Sequence, residues 1–299
     1  LSTKLIYIFI FLIIYININN NLFLFKKKYY IPFEKCYNIP DDSNIKIKHL
    51  IITRFMIEFR RFKKFAIKIY TENYILNAIR VMKKYLFSSL ENQSCKKFIW
   101  VLMLGDKANI TYIKSLLKFD TLFEKKIVFR KDIKGYIKII SEGCDVLITT
   151  RIDYDDRIYY DAVNDIRKAI NINKPMIVYG YQGGVNYYES DNKYYKFNYN
   201  YKNAGVMSIF VSLIIIKNKV NDTYNIYDLG SHIGVRKKIL TEYKSFGIKE
   251  LNYEPAIFDD GGEKFVWVRQ NFSGIYHYSE MIKKNLKLYK FNLNKFYEK

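Results

Sequence analysis

The sequence predicts an α/β fold in which a mixed, largely parallel sheet is flanked by helices. Apolar runs of strand length alternate along the chain with segments whose apolar residues recur at helical spacing. This alternation is typical of strands joined by helical crossovers. The chain has 299 residues, of which 49% are hydrophobic and 18% aromatic, so it can fill the core of one large domain or two small ones.

The first half of the chain carries the clearest strand and helix signals. Helical segments have apolar residues three or four positions apart, and strands are short apolar runs closed by polar residues or glycine. The predicted order is a strand at 49–54, a helix at 75–90, a strand at 97–104, a helix at 110–117, strands at 127–129 and 145–150, and a helix at 159–170. A strand at 175–179 opens a second half that is richer in β-structure.

The chain is strongly basic, with a net charge of +21. A field of this sign concentrates anions, which favours phosphorylated ligands, an acidic membrane surface or nucleic acid as partners. The lysines are spread along the whole chain, and it has neither zinc-finger spacing nor an RNA-recognition signature. We therefore expect no dedicated nucleic-acid binding.

Residues 1–28 are predicted to be a membrane anchor or a signal segment, and a buried strand or helix of the domain is the remaining alternative. Residues 5–16 form an unbroken apolar run, residues 22–25 extend it towards the length of a bilayer span, and three lysines at 26–28 end it. No small-residue cleavage site is evident, so we expect a single-pass anchored protein. By the positive-inside rule, the excess of lysines after the span favours the cytoplasmic side for the rest of the chain.

The rest of the chain is divided into a linker, one domain and a terminal helix. Residues 29–46 are rich in turn-forming residues and are predicted to be a linker, and residues 47–279 form the predicted domain. Residues 280–299 carry an apolar stripe with lysines mostly elsewhere. This pattern predicts a basic amphipathic helix that either docks on its own domain or lies on a membrane surface.

Cysteine and glycosylation signals give little guidance on the compartment. The three cysteines, at positions 36, 95 and 144, are far apart and include no CxxC pair, so no disulfide framework is expected. Four N-x-S/T sequons, at positions 92, 109, 221 and 271, would matter for a lumenal domain. In an asparagine-rich chain, such triplets are also expected by chance.

The most informative stretch is an acidic cluster directly after a predicted buried strand. Arg151 is followed by Asp153, Asp155 and Asp156, and ligands of open α/β sheets gather at such carboxyl ends. Three neighbouring carboxylates repel one another unless a cation neutralises them, and hard oxygen ligands suit Mg²⁺ or Mn²⁺. The cluster therefore predicts a divalent metal that grips a diphosphate, with Arg151 assisting. The alternative is that Asp155 or Asp156 caps the following helix while Asp153 forms a turn.

Six segments carry a family resemblance. They are HLIITRF at 49–55, YLFSSLENQS at 85–94, KFIWVLMLGD at 97–106, LITTRIDYDD at 147–156, VYGYQGG at 178–184 and FVWVRQNFSG at 265–274. In these segments the chain resembles a family of rhamnosyltransferases, which are glycosyltransferases of the GT-A fold. The resemblance implies a GT-A-like, Rossmann-type mixed sheet flanked by helices, preceded here by the N-terminal anchor.

The resemblance implies roles for individual residues. Asp153 would contact the nucleotide ribose or the metal shell, Asp155 would bind the metal, and Asp156 would be a supporting or alternative ligand. Thr53 and Arg54, at the end of the first strand, would face the nucleotide. An arginine there can pair with a phosphate, and Arg54 could equally form an internal ion pair.

The C-terminal part departs from the family pattern. Gln270 stands where family members often have a histidine, so we expect His277 as the C-terminal metal ligand, with an ordinary partly buried histidine as the alternative. If transfer inverts the anomeric centre, a carboxylate must deprotonate the acceptor hydroxyl. Asp260 is the candidate base, and Glu254 and Asp228 are its competitors.

These signals together predict a metal-dependent glycosyltransferase of the hexosyltransferase type. It would use Mn²⁺ or Mg²⁺ and transfer a sugar, with rhamnose as one candidate, from a nucleotide-sugar donor to a glycan or protein acceptor. Two alternatives stay open. One is a metal-dependent phosphohydrolase with Asp153 as nucleophile, and the other is a basic non-catalytic module that binds membranes or nucleic acid.

Overall fold

The fold is described from a computed structural model. The described residues are 36–37, 44–57, 68–181, 184–188, 192–196, 210–217, 224–229, 241, 256–259 and 265–269. The chain divides into two units, residues 1–35 and 36–299, and all described residues belong to the second. The predicted anchor at 1–28, the C-terminal helix at 280–299, Asp260 and His277 lie outside the described residues.

Eleven strands and five α-helices are assigned within the described residues. The strands are β1 Ile47–Phe55, β2 Ile99–Leu104, β3 Glu124–Phe129, β4 Val146–Asp153, β5 Arg157–Ile158, β6 Met176–Tyr181, β7 Val185–Tyr188, β8 Lys193–Lys196, β9 Val211–Ile216, β10 Ala256–Asp259 and β11 Phe265–Arg269. The helices are α1 Glu72–Met82, α2 Ser88–Glu91, α3 Ile110–Leu116, α4 Ile133–Ile140 and α5 Ala162–Lys168. Short 3₁₀ turns cover Lys68–Tyr70 and Arg130–Asp132, and the π-helical turn Lys83–Phe87 joins α1 to α2.

The described strands form two sheets. The larger has seven strands in the order β10-β6-β9-β4-β1-β2-β3, and β3, β2, β1 and β4 are parallel neighbours. β9 runs antiparallel to both β4 and β6, so β6 and its parallel neighbour β10 share the direction of β4. The smaller sheet has the order β5-β11-β7-β8. The prediction of an α/β fold with a mixed sheet and helices is confirmed.

Side chains of the central strands alternate between two buried clusters. Because successive strand residues point to opposite faces, neighbouring residues of β1 enter different clusters. Ile51, Phe55, Trp100, Leu102, Ile148 and Ile152 lie in one cluster, together with apolar residues of α1 and α2. Leu50, Ile52, Val101, Met103, Leu147 and Ile137 of α4 lie in the other. The central strands are therefore buried on both faces, as expected of a parallel sheet.

The helix predicted at 75–90 is present, and it consists of α1 and α2 joined by the π-helical turn Lys83–Phe87. Thr71 caps α1, and its hydroxyl accepts a hydrogen bond from the backbone N–H of Tyr74 at 3.4 Å. The apolar positions that predicted the helix are all buried; they are Ile75, Ile79, Met82, Leu86 and Leu90. The amphipathic pattern thus identified both the helix and the face that it packs against the sheet.

A disulfide joins Cys36 to Cys95, so the expectation of no disulfide was wrong. The two Cα atoms are 4.7 Å apart, and the bond closes a chain separation of 59 residues. Two side chains of α5 also hold the backbone of this segment: the N–H of Tyr37 donates to Asn164 Oδ1 at 2.8 Å, and Arg167 Nε donates to the carbonyl of Tyr37 at 3.1 Å. Part of the predicted linker is therefore fastened to the domain.

Two further findings qualify the predicted layout. The strand predicted at 145–150 continues through Asp153, and the helix that follows begins only at Ala162, after the short strand β5. Within the described ranges, none of the helices combines the length and the apolar character that crossing a bilayer requires.

Candidate functional site

The candidate site lies at the carboxyl ends of the adjacent parallel strands β1 and β4. Their register places Arg54 opposite Asp153. Both residues lie on the sheet face that also carries Arg151, because positions 151 and 153 of one strand share a face. The topology thus brings together two segments that are 99 residues apart in sequence.

Two arginines converge on the carboxylate of Asp153. Arg54 Nη2 donates to Oδ1 at 3.1 Å, and Arg151 Nη2 lies 3.7 Å from Oδ2. The exposed fractions of the side chains are 19% for Arg54, 31% for Asp153 and 7% for Arg151, so the group is half-buried. Burial opposes the charge on Arg54, but several neighbouring groups, with Asp153 first among them, together outweigh it and raise the pKa of Arg54. The internal ion pair that the sequence left open for Arg54 is present.

Tyr227 contacts both arginines and was not anticipated from the sequence. The guanidinium carbons of Arg54 and Arg151 each lie 5.5 Å from the centre of its ring, within the range of cation–π attraction. Its hydroxyl donates to the carbonyl of Ile52 at 3.0 Å. Burial raises the pKa of Tyr227, although the two arginines pull in the opposite direction. The ring therefore stays neutral and fixes the spacing of the two cations.

The acidic residues after β4 form a tight turn. The backbone N–H of Asp156 donates to the carbonyl of Asp153 at 3.2 Å. The next helix begins at Ala162, and Asp161 occupies its N-cap position. The alternative in which Asp155 or Asp156 caps that helix is therefore wrong, whereas a turn at Asp153 is confirmed.

The turn separates its carboxylates into different environments. Asp156 is almost fully buried, with 1% exposure, and Asp155 is half-buried. Between them and Asp153 stands Tyr154, whose hydroxyl is 3.1 Å from that of Tyr74. Burial, followed by the charge of Asp155, raises the pKa of Tyr154 well above its usual value. The turn thus presents a neutral Tyr154 side chain next to the charge of Asp155.

Thr53 lies in the core instead of facing the site edge. Its side chain is fully buried, and its hydroxyl accepts a hydrogen bond from Trp100 Nε1 at 2.9 Å. Thr53 and Arg54 are consecutive strand residues, so they point to opposite faces of the sheet. This position gives no support to the predicted contact between Thr53 and a nucleotide.

Backbone pairing brings the C-terminal resemblance segment beside the turn. β11 pairs antiparallel with β5, with Phe265 opposite Ile158 and Val266 opposite Arg157. β10 ends at Asp259, and its direction matches that of β4, so Asp259 and Asp153 end their strands at the same edge of the large sheet. Three strand spacings separate β10 from β4, which amounts to about 14 Å.

One of the remaining candidate residues makes structural contacts, and the others lie outside the described residues. Asp228, a competitor for the base, forms an ion pair with Lys134 at 3.1 Å and accepts a hydrogen bond from Asn225 Nδ2 at 2.6 Å. Asp260, Glu254, Gln270 and His277 lie outside the described residues. Among the residues that are described, no three His, Cys, Asp or Glu side chains gather closely enough to form a metal cluster.

A second polar group, which we call the polar clamp, consists of Gln93, Ser94, Asp161 and Asn164. Gln93 donates to the carbonyl of Tyr159 at 2.7 Å and accepts from the N–H of Val163 at 3.1 Å. Ser94 bonds to Asp161 Oδ1, and Asn164 Nδ2 donates to both, at 2.9 Å to Ser94 and 2.8 Å to Asp161. The clamp holds the start of α5 and therefore the chain that leaves the acidic turn.

No family model matches the chain, and no curated protein matches it significantly in sequence. The solved structures that it resembles include the following three. A protein from Desulfovibrio desulfuricans G20 described as a nucleotide-diphospho-sugar transferase has 9% identity and a TM-score of 0.36, with 75% of this chain and 81% of that chain covered. S. aureus TarS 1–349 has 12% identity and a TM-score of 0.38, with 75% of this chain and 60% of that chain covered. The inositol-1-phosphate CTP transferase from T. maritima has 12% identity and a TM-score of 0.32, with 81% and 98% covered.

Proposed function

We propose that this protein is a metal-assisted glycosyltransferase that uses a nucleotide-diphosphate sugar. The observation that supports the proposal is the group of Arg54, Arg151 and Asp153 at the ends of two parallel strands, directly before an acidic turn. Carboxyl ends of parallel strands are where α/β sheets bind nucleotides. Cations and carboxylates side by side suit a ligand that combines an anionic diphosphate with a polyhydroxylated ribose.

In the proposed complex, arginine binds the phosphates of the nucleotide and Asp153 binds its ribose. A guanidinium presents several N–H donors, so Arg54 can keep one for Asp153 and offer others to a phosphate. Asp153 is already charge-compensated by Arg54 and Arg151, which suits hydrogen bonding to a ribose hydroxyl better than metal coordination. Tyr227 holds the arginines in place through its ring.

Asp155 is the proposed metal ligand, with Asp156 in support. Mg²⁺ in nucleotide enzymes is bound by one or two carboxylates together with substrate phosphates and water, so a full cage of protein ligands is not required. The turn therefore offers a donor set that fits Mg²⁺ or Mn²⁺. Such an ion would neutralise the charge that develops on the leaving nucleoside diphosphate.

The acceptor side of the reaction rests on the resemblance described above. Asp260 is the proposed base that takes the proton from an acceptor hydroxyl, on a glycan or a protein, and His277 is a proposed further metal ligand. Asp259, the last residue of β10, lies at the same sheet edge as Asp153, which supports a base from this part of the chain. The donor sugar, with rhamnose as one candidate, belongs to the same proposal.

Two observations favour a transferase over the alternatives. Asp153 is engaged by two guanidiniums, which lowers the nucleophilicity that a phosphohydrolase would need from it. A basic binding module would not require carboxylates at its anion-binding edge. Phosphate release from simple esters would favour the hydrolase, and binding that is steeply salt-dependent but indifferent to Mn²⁺ would favour the module.

Calorimetry with nucleoside diphosphates tests the proposal. The full chain should bind at least one of them in Mn²⁺ and lose most of that affinity with a chelator. Asp155→Ala should weaken Mn²⁺-dependent binding by at least about tenfold, or about 1.4 kcal/mol. Glu142→Ala, which removes an exposed carboxylate in the turn after α4, is the matched control and should bind normally. Equal affinity in wild type and Asp155→Ala would refute the proposed metal site.

A further inference from the structure

The Cys36–Cys95 disulfide lies where the segment of Cys36 is also hydrogen-bonded to the domain. Cys95 is fully buried and follows Ser94 of the polar clamp, while the backbone of Tyr37 is held by Asn164 and Arg167. Forming the bond removes two electrons and two protons from the thiols, and these pass to a disulfide exchange partner, which is reduced. Structural disulfides persist in oxidising compartments and are rare in the cytosol. The bond therefore favours a lumenal or extracellular location over the cytoplasmic side that the lysines at 26–28 favoured.

The two sequons within the described residues differ sharply in accessibility. Asn92 is half-buried, and its Nδ2 donates to the carbonyl of Ser88 at 2.7 Å, while Gln93 and Ser94 of the same triplet are buried in the polar clamp. Asn109 is exposed, and so is Thr111 two positions later. Asn109 caps α3 through Oδ1, which accepts from the N–H of Tyr112 at 3.0 Å. That bond uses the amide oxygen and not Nδ2, the atom that would be modified.

We infer that Asn109 is an N-glycosylation site of a domain that matures in an oxidising, lumenal compartment. In the reaction, Asn109 Nδ2 loses a proton and bonds to the anomeric carbon of a lipid-pyrophosphate-linked oligosaccharide. The anomeric C–O bond breaks, and the lipid pyrophosphate leaves. The folded domain accepts the glycan because Asn109 and Thr111 face solvent and the capping bond through Oδ1 is kept. This inference is independent of the proposed transferase activity.

Cell-free translation with endoplasmic reticulum microsomes tests the inference on the full chain with its own N-terminal segment. Site-specific mass spectrometry should find Asn109 glycosylated and Asn92 unmodified, and non-reduced digests should contain a peptide pair that joins Cys36 to Cys95. Asn109→Gln and Thr111→Ala should each remove one glycan, which is seen as the loss of one endoglycosidase-sensitive shift in gel mobility. Asn92→Gln is the matched control and should leave the mobility unchanged.

Three results would overturn the inference. The first is an unmodified Asn109 in the chain made with microsomes. The second is a mobility pattern that neither Asn109→Gln nor Thr111→Ala alters. The third is recovery of Cys36 and Cys95 as free thiols from chains that carry the glycan, because the oxidising compartment was inferred from their bond.

Discussion

The candidate site at the ends of β1 and β4, which we call the site edge, and the polar clamp both consist of polar side chains, but these side chains have different roles in the two regions. In the clamp, Gln93 is fully buried and each polar atom of its side chain has a hydrogen-bond partner within the domain. At the site edge, Asp153 keeps 31% of its side chain exposed although two arginines hold it. Buried polar groups with internal partners fix a structure, whereas charged groups kept at a solvent boundary remain available to a ligand. We therefore expect clamp substitutions to change stability and site substitutions to change binding.

Loss of the disulfide should have the largest effect on stability. Cys36→Ser opens a closed loop of 59 residues, and the chain-entropy model gives a loss of about 4 kcal/mol in the free energy of unfolding. Urea unfolding of the variant under non-reducing conditions measures the loss. Wild-type protein treated with a reductant should unfold at the same urea concentration as the variant. Equal urea midpoints for oxidised and reduced wild-type protein would contradict the prediction.

Gln93→Ala should come next, because it removes a central member of the polar clamp. The N–H of Val163 and the carbonyl of Tyr159 lose their partner in a buried place, which costs about 3 kcal/mol. Nucleotide affinity of the folded variant, measured well below its melting temperature, should stay within a factor of about two of wild type. A variant of normal stability but reduced affinity would reverse the roles that we assign to the two regions.

Thr53→Val tests whether Thr53 belongs to the core or to the site. Valine has a similar shape but cannot accept the hydrogen bond from Trp100 Nε1, and the stranded N–H should cost about 2 kcal/mol of stability. Thr53→Ser keeps the hydroxyl and should lose much less. Affinity for nucleoside diphosphates should not change in either variant. A large loss of affinity in Thr53→Val alone would restore the nucleotide contact predicted from the sequence.

His49 should make stability depend on pH. Burial, together with the charge of Arg167, lowers its pKa to about 3 from 6.5, and its Nε2 lies 2.7 Å from Thr150 Oγ1. Between these values the unfolded chain binds a proton that the folded one does not, so stability falls as pH drops, by up to about 1.4 kcal/mol per unit. Urea unfolding of wild type and His49→Gln between about pH 7.5 and 4.5 isolates this slope. The same pH dependence of the free energy of unfolding in both proteins would contradict this prediction.

Local patterns in the sequence were enough to predict the elements that build the site. The apolar runs at β1, β2 and β4 and the spacing of α1 and α3 all correspond to observed elements, because burial on one or both faces leaves a clear periodic signal. The helix α4 was missed. Its isoleucines recur at helical spacing, but β-branched residues and Gly135 are weak helix formers and obscured the pattern.

Long-range partners were the part that the sequence did not reveal. Tyr227 bonds to Ile52 across 175 residues, and Cys36 meets Cys95 across 59, and neither pairing leaves a local pattern. The position of Thr53 is different, since strand alternation already places it on the face opposite Arg54. The acidic turn was predicted correctly as a turn, whereas the arginines that compensate Asp153 became apparent only from the pairing of β1 with β4.

Turnover of nucleotide sugars tests the central claim most directly. The full chain should be incubated with a panel of donors that carry uridine, guanosine and thymidine diphosphates, with Mn²⁺ and with a chelator, and release of the nucleoside diphosphate should be measured. We expect release from at least one donor, its loss with the chelator and in Asp155→Ala, and its retention in Glu142→Ala. Unchanged release in Asp155→Ala, or no release from any donor by the folded protein, would contradict the account.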